Sequence, residues 1–157
     1  MYPGPEHWRS IPSYKRVKLK AIRYRNVNDV GYLSDVQLQF SHGVQTPLYS
    51  AGDSGRYGWA LKTVPVDPTR SVRKVSVKVV FGSCFKGLRL LDDYGDAIVN
   101  EIWDPEQTRR DEWITQLVPI GYTIIGIQCN TDHTLYLHRL GFVLVKNSKL
   151  LWEQNII

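Results

Sequence analysis

The sequence predicts an all-β domain of three similar antiparallel sheets closed about a pseudo-threefold axis. Three observations carry this expectation. Apolar and β-branched residues alternate with polar ones along several short runs, the period-2 pattern of half-buried strands. Gly, Pro, Asn and Asp punctuate those runs. Above all, one strand-and-turn pattern recurs at a spacing of 52 residues: Leu33, Phe85 and Leu137 fall in register, as do Val36, Leu88 and Leu140, and Leu38, Leu90 and Phe142. The turn residues that follow, Gly43, Gly95 and Asn147, are in register too. Those residue types accept the positive φ of a tight hairpin turn. A two-sheet β-sandwich is the alternative arrangement, but it does not predict three copies.

Taken in order, the first unit has a strand over 17–24, a loop over 25–32, a strand over 33–40 and a further strand over 44–49 after the Gly43 turn. Residues 51–62, with Gly52, Gly55 and Gly58, read as a long loop. The second unit has strands over 75–81, 85–92 and 97–103. Residues 105–113 offer the best helix start, with Asp104 as N-cap before Pro105, but carry no apolar stripe and read as a loop. The third unit has strands over 122–129, 137–144 and 148–152. Pro12, Pro68 and Pro119 each stand upstream of a unit. Residues 1–16 are expected as an extended N-terminal segment and 17–157 as one domain with three internal repeats.

The chain has 157 residues, 43% hydrophobic and 22% charged, which suits one globular domain rather than a disordered tail or a disulfide-dense mini-protein. No stretch approaches the ~18–20 apolar residues of a membrane-spanning helix. No Asn-x-Ser/Thr sequon occurs, and Met1 to Pro5 has neither a basic start nor an apolar run; the compartment stays open, with an intracellular one favoured. The net charge of +5 hides an asymmetry: residues 1–90 carry fifteen Lys/Arg against five Asp/Glu, and residues 91–157 carry five against ten. Much of the basic excess is one segment, Lys15, Arg16, Lys18, Lys20, Arg23 and Arg25. It reads either as a patch for an acidic partner surface or as the solvated face of a strand. The alternation of Lys18 and Lys20 with Val17, Leu19 and Ala21 favours the strand face.

Nothing in the chain assembles a catalytic centre. There is no Gly-x-Ser-x-Gly elbow, P-loop or His-Glu-x-x-His motif. Asp92-Asp93 and Asp111-Glu112 are adjacent pairs whose side chains would face opposite ways on a strand. Ser54, in Gly52-Asp53-Ser54-Gly55, has no base assigned to it. Cys84, Cys129, His133 and His138 share one end of the expected topology but lack the close spacing of a zinc site. Unpaired, partly buried cysteines are the expected state, with a Cys84–Cys129 disulfide as the alternative. No enzyme activity, cofactor, metal or nucleic-acid role is expected.

The third unit carries a specific likeness. Gly121-Tyr122-Thr-Ile-Ile-Gly-Ile-Gln, followed by Tyr136-Leu137-His138-Arg139-Leu140-Gly141-Phe142, resembles the strand, exposed loop and closing Asp-x-Ile-Gly-Phe run of the jacalin-like β-prism family. Ser71 to Val77 with Lys86 to Leu90 is similar to the opening strands of that family. The resemblance spans roughly residues 17–152 and implies a threefold prism of four-stranded sheets. It also implies sugar binding through a Gly-x-x-x-Asp loop, whose carboxylate accepts hydrogen bonds from sugar hydroxyls. Here the Asp positions are Ser34, Lys86 and His138, the Gly positions are Val30, Gly82 and Thr134, and no unit keeps the motif. Asp132 offers a shifted carboxylate.

Loops 25–32, 82–84 and 130–136 join equivalent strands and so fall at one end of such a prism. They bring Asn28, Asp29, Asn130, Asp132, His133 and Tyr136 together, with His138 at the edge. Donors, acceptors and a ring suit a carbohydrate or small polar ligand, though local Asx turns in solvated loops use the same residues. The missing motif favours a non-catalytic binding module, a structural or protein-interaction subunit docking within a larger assembly. In that reading the basic segment, the Pro-rich start around Trp8 and the apolar tail to Ile157 extend the contact. The alternative is a carbohydrate-binding lectin with a modified sugar site in loop 130–138.

Overall fold

A computed structural model describes residues 18–29, 31–51, 57–80, 84–103, 112–130 and 136–146, excepting the side chains of Asp29 and Val80. Strands β1 (Leu19–Asn26), β2 (Leu33–Phe40), β3 (Tyr49–Ser50) and β4 (Leu61–Pro65) form one antiparallel sheet in the order β3-β2-β1-β4. Strands β5 (Lys74–Val80), β6 (Cys84–Leu91), β7 (Ala97–Ile102) and β8 (Glu112–Leu117) form a second in the matching order β7-β6-β5-β8. Strands β9 (Tyr122–Cys129) and β10 (Leu140–Lys146) form a third. The expected all-β architecture of three antiparallel sheets is therefore the observed one, and the sandwich is set aside. The N-terminal segment with Lys15 and Arg16, most of the 105–113 loop, Asp132, His133, the Asn147 turn and strand 148–152 lie outside the described residues.

One apolar cluster joins all three sheets. Its members include the repeat positions Leu33, Phe85 and Leu137, Val36 and Leu88, and Leu38, Leu90 and Phe142, all buried. Leu140 departs from the repeat, being only half-buried at the start of β10. The hairpin turns use Gly43 at φ +74° and Gly95 at φ +80°, as a tight turn requires.

Four sequence expectations need correction. Strand 44–49 shrinks to Tyr49–Ser50 and a bridge between Gln39 and Gln45. Pro47 has no N–H to continue the ladder. Thr46 substitutes for it: its hydroxyl accepts the Leu38 N–H, while its own N–H donates to the Leu38 carbonyl. Strand β4 begins where a loop was expected, and β8 was not expected at all. Both are sheet edges, and their half-exposed residues show no clean alternation of apolar and polar positions. Finally, Leu137 to Arg139 precede β10 rather than opening it. The Leu137 N–H donates instead to the Leu33 carbonyl (2.7 Å), tying the third unit to the first.

The basic segment is also divided. A bulge at Lys20 shifts the alternation of β1, so that Ile22, Tyr24 and Asn26 are buried while Arg23 and Arg25 lie on the other face. Arg23 Nη1 donates to Gln37 Oε1 (3.0 Å), and Arg25 Nη1 pairs with the buried Asp35 carboxylate (2.9 Å). Ser50 Oγ donates to the same Asp35 oxygen. These two arginines therefore serve the sheet rather than a continuous basic surface.

The third sheet borrows support from the second. Gln116 of β8 uses its amide as a strand substitute: Nε2 donates to the Phe142 carbonyl and Oε1 accepts the Phe142 N–H (2.9 and 3.1 Å). Thr46 does this for Leu38, and Val99 pairs with Leu90. The three repeat-equivalent residues are thus each satisfied by a different device.

The 92–96 hairpin turn is built on one carboxylate. Asp92 Oδ1 accepts the N–H groups of Tyr94 and Asp96, and Oδ2 accepts Nε and Nη2 of Arg70. The Arg70 hydrogen bond leads in holding the Asp92 carboxyl below its ordinary value of 3.8. A depressed carboxyl contributes stability that is present above its unfolded-state pKa and is lost as pH falls through the folded one. Chemical denaturation should therefore show a loss of stability below about pH 4 that Asp92→Asn reduces; an identical acid limb in that variant would contradict the assignment. In the core, Leu90→Ala should cost about 2–5 kcal/mol in urea denaturation and Leu140→Ala clearly less. Equal costs would contradict the half-buried placement of Leu140.

Candidate functional site

The repeat extends one residue further than the core pattern. Tyr32, Cys84 and Tyr136 stand at the same 52-residue spacing, and they meet at the end of the prism where β1–β2, β5–β6 and β9–β10 are connected. The rings of Tyr32 and Tyr136 are 5.3 Å apart at 58°. Tyr136 lies against Cys84: the repulsion that a thiolate there would exert on a phenolate, a hydrogen bond from the phenol to the sulfur, burial and Tyr32 together raise the phenol above its ordinary value. One residue from each unit thus closes the axis at this end.

Lys86 adds a cation. Its Nζ lies 4.7 Å from the centre of the Tyr32 ring, a contact from the second unit to the first. The backbone explains why it reaches there. The β5–β6 register passes from Gly87 opposite Lys78 to Phe85 opposite Val79, leaving Lys86 as the extra residue of a β-bulge. Bulges re-aim a side chain out of the regular alternation. The first unit repeats the device at Ser34, between Asp35 opposite Arg25 and Leu33 opposite Asn26. The backbone partners repeat as well: the Ser34 carbonyl accepts the Ala51 N–H, and the Lys86 carbonyl accepts the Trp103 N–H. The outcomes differ. Ser34 is fully buried and its Oγ donates to the Arg25 carbonyl, whereas Lys86 is only half-buried.

In the third unit the equivalent residue is His138, half-buried just ahead of β10. Its N–H and that of Arg139 both donate to Asn130 Oδ1 (2.7 and 3.0 Å). Asn130 therefore holds the two ends of the loop together. Asn28 is exposed on the first loop with φ 55°, a left-handed conformation that Asn tolerates. Of the residues singled out in sequence, Asn28, Asn130, Tyr136 and His138 are placed on loops at this end. Asp29 is placed by its backbone alone.

Tyr32 and Lys86 were not singled out as ligand contacts, though Tyr32 stands in register with Tyr136. Trp59, one of five tryptophans that sequence offers as stacking platforms, is stacked on Tyr57, a pairing the sequence does not reveal, with rings 4.7 Å apart at 14°. Leu61 pairs with Arg25 at the Asn26 end of β1, so the chain just before β4 reaches the same end of the prism. Lys18 and Lys20 lie at the opposite end of β1, and Lys18 Nζ donates to the Pro68 carbonyl.

Cys84 and Cys129 form no disulfide. Among the described residues no group of three or more His, Cys, Asp or Glu side chains is placed to hold a metal ion, and no helix is long and apolar enough to cross a membrane.

No family model and no curated sequence matches the chain. Solved structures do. A prostate-specific WGA16 glycoprotein lectin superposes with a TM-score of 0.59 at 11% identity, covering 87% of this chain and 88% of that one. Artocarpin, solved with mannotriose, gives 0.54 at 12% identity over 82% and 83% of the chains. Jacalin, solved with a galactose–glucose disaccharide, gives 0.52 at 13% identity over 81% and 91%. The fold is the jacalin-like β-prism. At these identities the likeness establishes the prism, and the resemblance drawn from the third unit holds at the level of fold.

Burial pushes the Cys129 thiol up to about 11 from an ordinary 9.0, so at a given pH its thiolate fraction falls about a hundredfold. Alkylation at pH 8, followed by mass spectrometry at Cys129, should be correspondingly slower in the folded protein than in urea. Similar rates in both states would contradict this burial.

Proposed function

We propose that the protein is a non-catalytic carbohydrate-binding module whose site is the loop end of the prism, centred on Tyr32, Lys86 and Tyr136. The observation that carries the reading is the meeting of these three residues, one from each unit, on a fold shared with lectins. Sugars bind by laying C–H faces on aromatic rings and exchanging hydrogen bonds with a few well-placed polar groups. The paired tyrosines supply the rings, and Lys86, Asn28 and the 136–139 segment supply the polar groups. The likeness to artocarpin and jacalin, both solved with saccharides, supports the lectin alternative over the interaction subunit favoured by sequence. The site differs from the Gly-x-x-x-Asp pattern because Lys86 and His138 stand where that pattern has a carboxylate. The grip on a sugar is therefore arranged around rings and donors.

A glycan array probed at two salt concentrations tests this. Wild-type protein should bind a defined subset of glycans. Tyr136→Ala, shown to be folded by circular dichroism, should bind them about tenfold or more weakly, equivalent to 1.4 kcal/mol or more. No binding to any glycan by the folded wild-type protein would overturn the proposal and return the interaction-subunit reading to first place.

A further inference from the structure

We infer that the outer face of the second sheet docks an acidic peptide segment of a partner protein, with Arg89 gripping a Glu or Asp carboxylate of that segment. The surface is the flat of the sheet, apart from the saccharide site at the loop end. Val75, Val77, Leu88, Leu90 and Val99 take the core side of β5, β6 and β7. The register therefore puts Gly87, Arg89, Asn100, Ile102, Trp113 and Thr115 together on the opposite side. The Arg89 guanidinium carbon lies 4.0 Å from the centre of the Trp113 ring, and Arg89 Nε donates to Asn100 Oδ1 (2.9 Å). Stacking occupies the flat of a guanidinium, while its five N–H donors point outward in its plane. The Nε–H is taken by Asn100, and neither Nη group has an acceptor among the described residues. Ring and amide hold the fork in one geometry before any ligand arrives, which lowers the ordering cost of binding.

The first sheet shows what the second lacks. Its outer-face Arg25 is paired with Asp35, and Arg23, one row along, meets Gln37. At the 52-residue spacing, Gly87 and Arg89 stand where the first unit has Asp35 and Gln37. Glycine is needed there, because a Cβ on Gly87 would lie 3.0 Å from both Trp113 Cη2 and Lys78 Cβ. Where the first sheet has a carboxylate, the second has the seat of a ring. No other acid of the described strands makes up the loss. Glu101 and Glu112 stand opposite Leu88 and Val79, on the core side, and Asp92 and Asp93 are paired with Arg70 and Arg73. The two Nη groups of an arginine match the two oxygens of a carboxylate. The same face exposes Ile102 (43%) and Leu117 (62%), with Lys74 exposed two residues before Ser76. Apolar contacts around one fork suit a peptide in which apolar residues flank an acid. A nucleic acid or a sulfated glycan would ask instead for a row of cations along its repeated charges.

Fluorescence anisotropy of the full chain tests this with four labelled probes: a peptide of alternating Glu and Leu, its Gln–Leu counterpart, a heparin-type oligosaccharide and single-stranded DNA. The Glu–Leu peptide should bind about tenfold or more tightly than the Gln–Leu peptide. Arg89→Gln should weaken it about tenfold, and Arg89→Lys nearly as much, because an ammonium offers no planar fork. Lys20→Gln, which removes one exposed charge from the first sheet, should leave it within about twofold, as an unscreened exposed charge is worth little. Tyr136→Ala should also leave it unchanged, which separates this face from the saccharide site. Equal binding of the two peptides, or no binding of either by folded wild-type protein, would overturn the inference whatever the glycan array shows. An equal loss in Lys20→Gln would overturn it by assigning the effect to net charge, and full binding by Arg89→Lys would remove the fork. Tighter Arg89-dependent binding of heparin or DNA than of the peptide would overturn it in favour of a polyanion. A dimer of the chain alone that Arg89→Gln dissolves would overturn it in favour of a second copy.

Discussion

Closure of three sheets on one axis is the constraint on which the rest of the structure depends. Each unit must deliver an apolar side chain to the same place, and Leu33, Phe85 and Leu137 do so from positions 52 residues apart. Burying each contributes roughly 1.5–3 kcal/mol relative to exposure. The units are also tied directly, by the Leu137 N–H on the Leu33 carbonyl. Strict repetition of the apolar positions leaves the neighbouring positions free to diverge. One residue earlier in each unit the chain places Tyr32, Cys84 and Tyr136, which fill the end of the axis with polarisable and polar atoms.

The bulges at Ser34 and Lys86 show how one backbone device yields two outcomes. Both displace a single residue, and both carbonyls take the same kind of backbone partner. With serine the displaced side chain turns inward and satisfies a backbone carbonyl. With lysine the long stem carries its charge across to a ring of another unit. The chemistry of the loop end is therefore set by side-chain choice on a conserved geometry within the molecule. In such an arrangement binding preference changes without disturbing the core.

Legibility followed burial. Strand β2 over 33–40 is legible from its apolar positions in the 52-residue repeat, and strand β9 over 122–129 from its run of buried β-branched residues. Strands β4 and β8 are not, because an edge strand with one partner exposes half its residues and loses the alternation that marks it. The run after Gly43 looked like a full strand because Thr46 and Val44 are good β-formers, and Pro47 cut it short. At the site, Tyr136 and His138 were visible as loop polar groups. Lys86 was visible as an anomaly at a repeat position, but its partner was not, because a bulge is a property of pairing that no local pattern records. Tyr57 and Trp59 needed the β1–β4 register before they could be placed at all.

The third sheet has one further consequence. Among the described residues it is two-stranded, and such a hairpin is marginal by itself. Part of its outer edge is held by a side chain, Gln116, rather than by a ladder of backbone bonds. Local opening needs least free energy where long-range backbone bonds are fewest. Amide hydrogen exchange along β10 is thus expected to proceed through a smaller excursion than along the doubly paired β5. Tyr136 and His138 lie on the connection between β9 and β10, while Lys86 lies on β6 and Tyr32 directly adjoins β2 of the sturdier sheets. A molecule laid across the two touching tyrosines would act as a clasp, lending the weakest wall of the prism the rigidity of the other two.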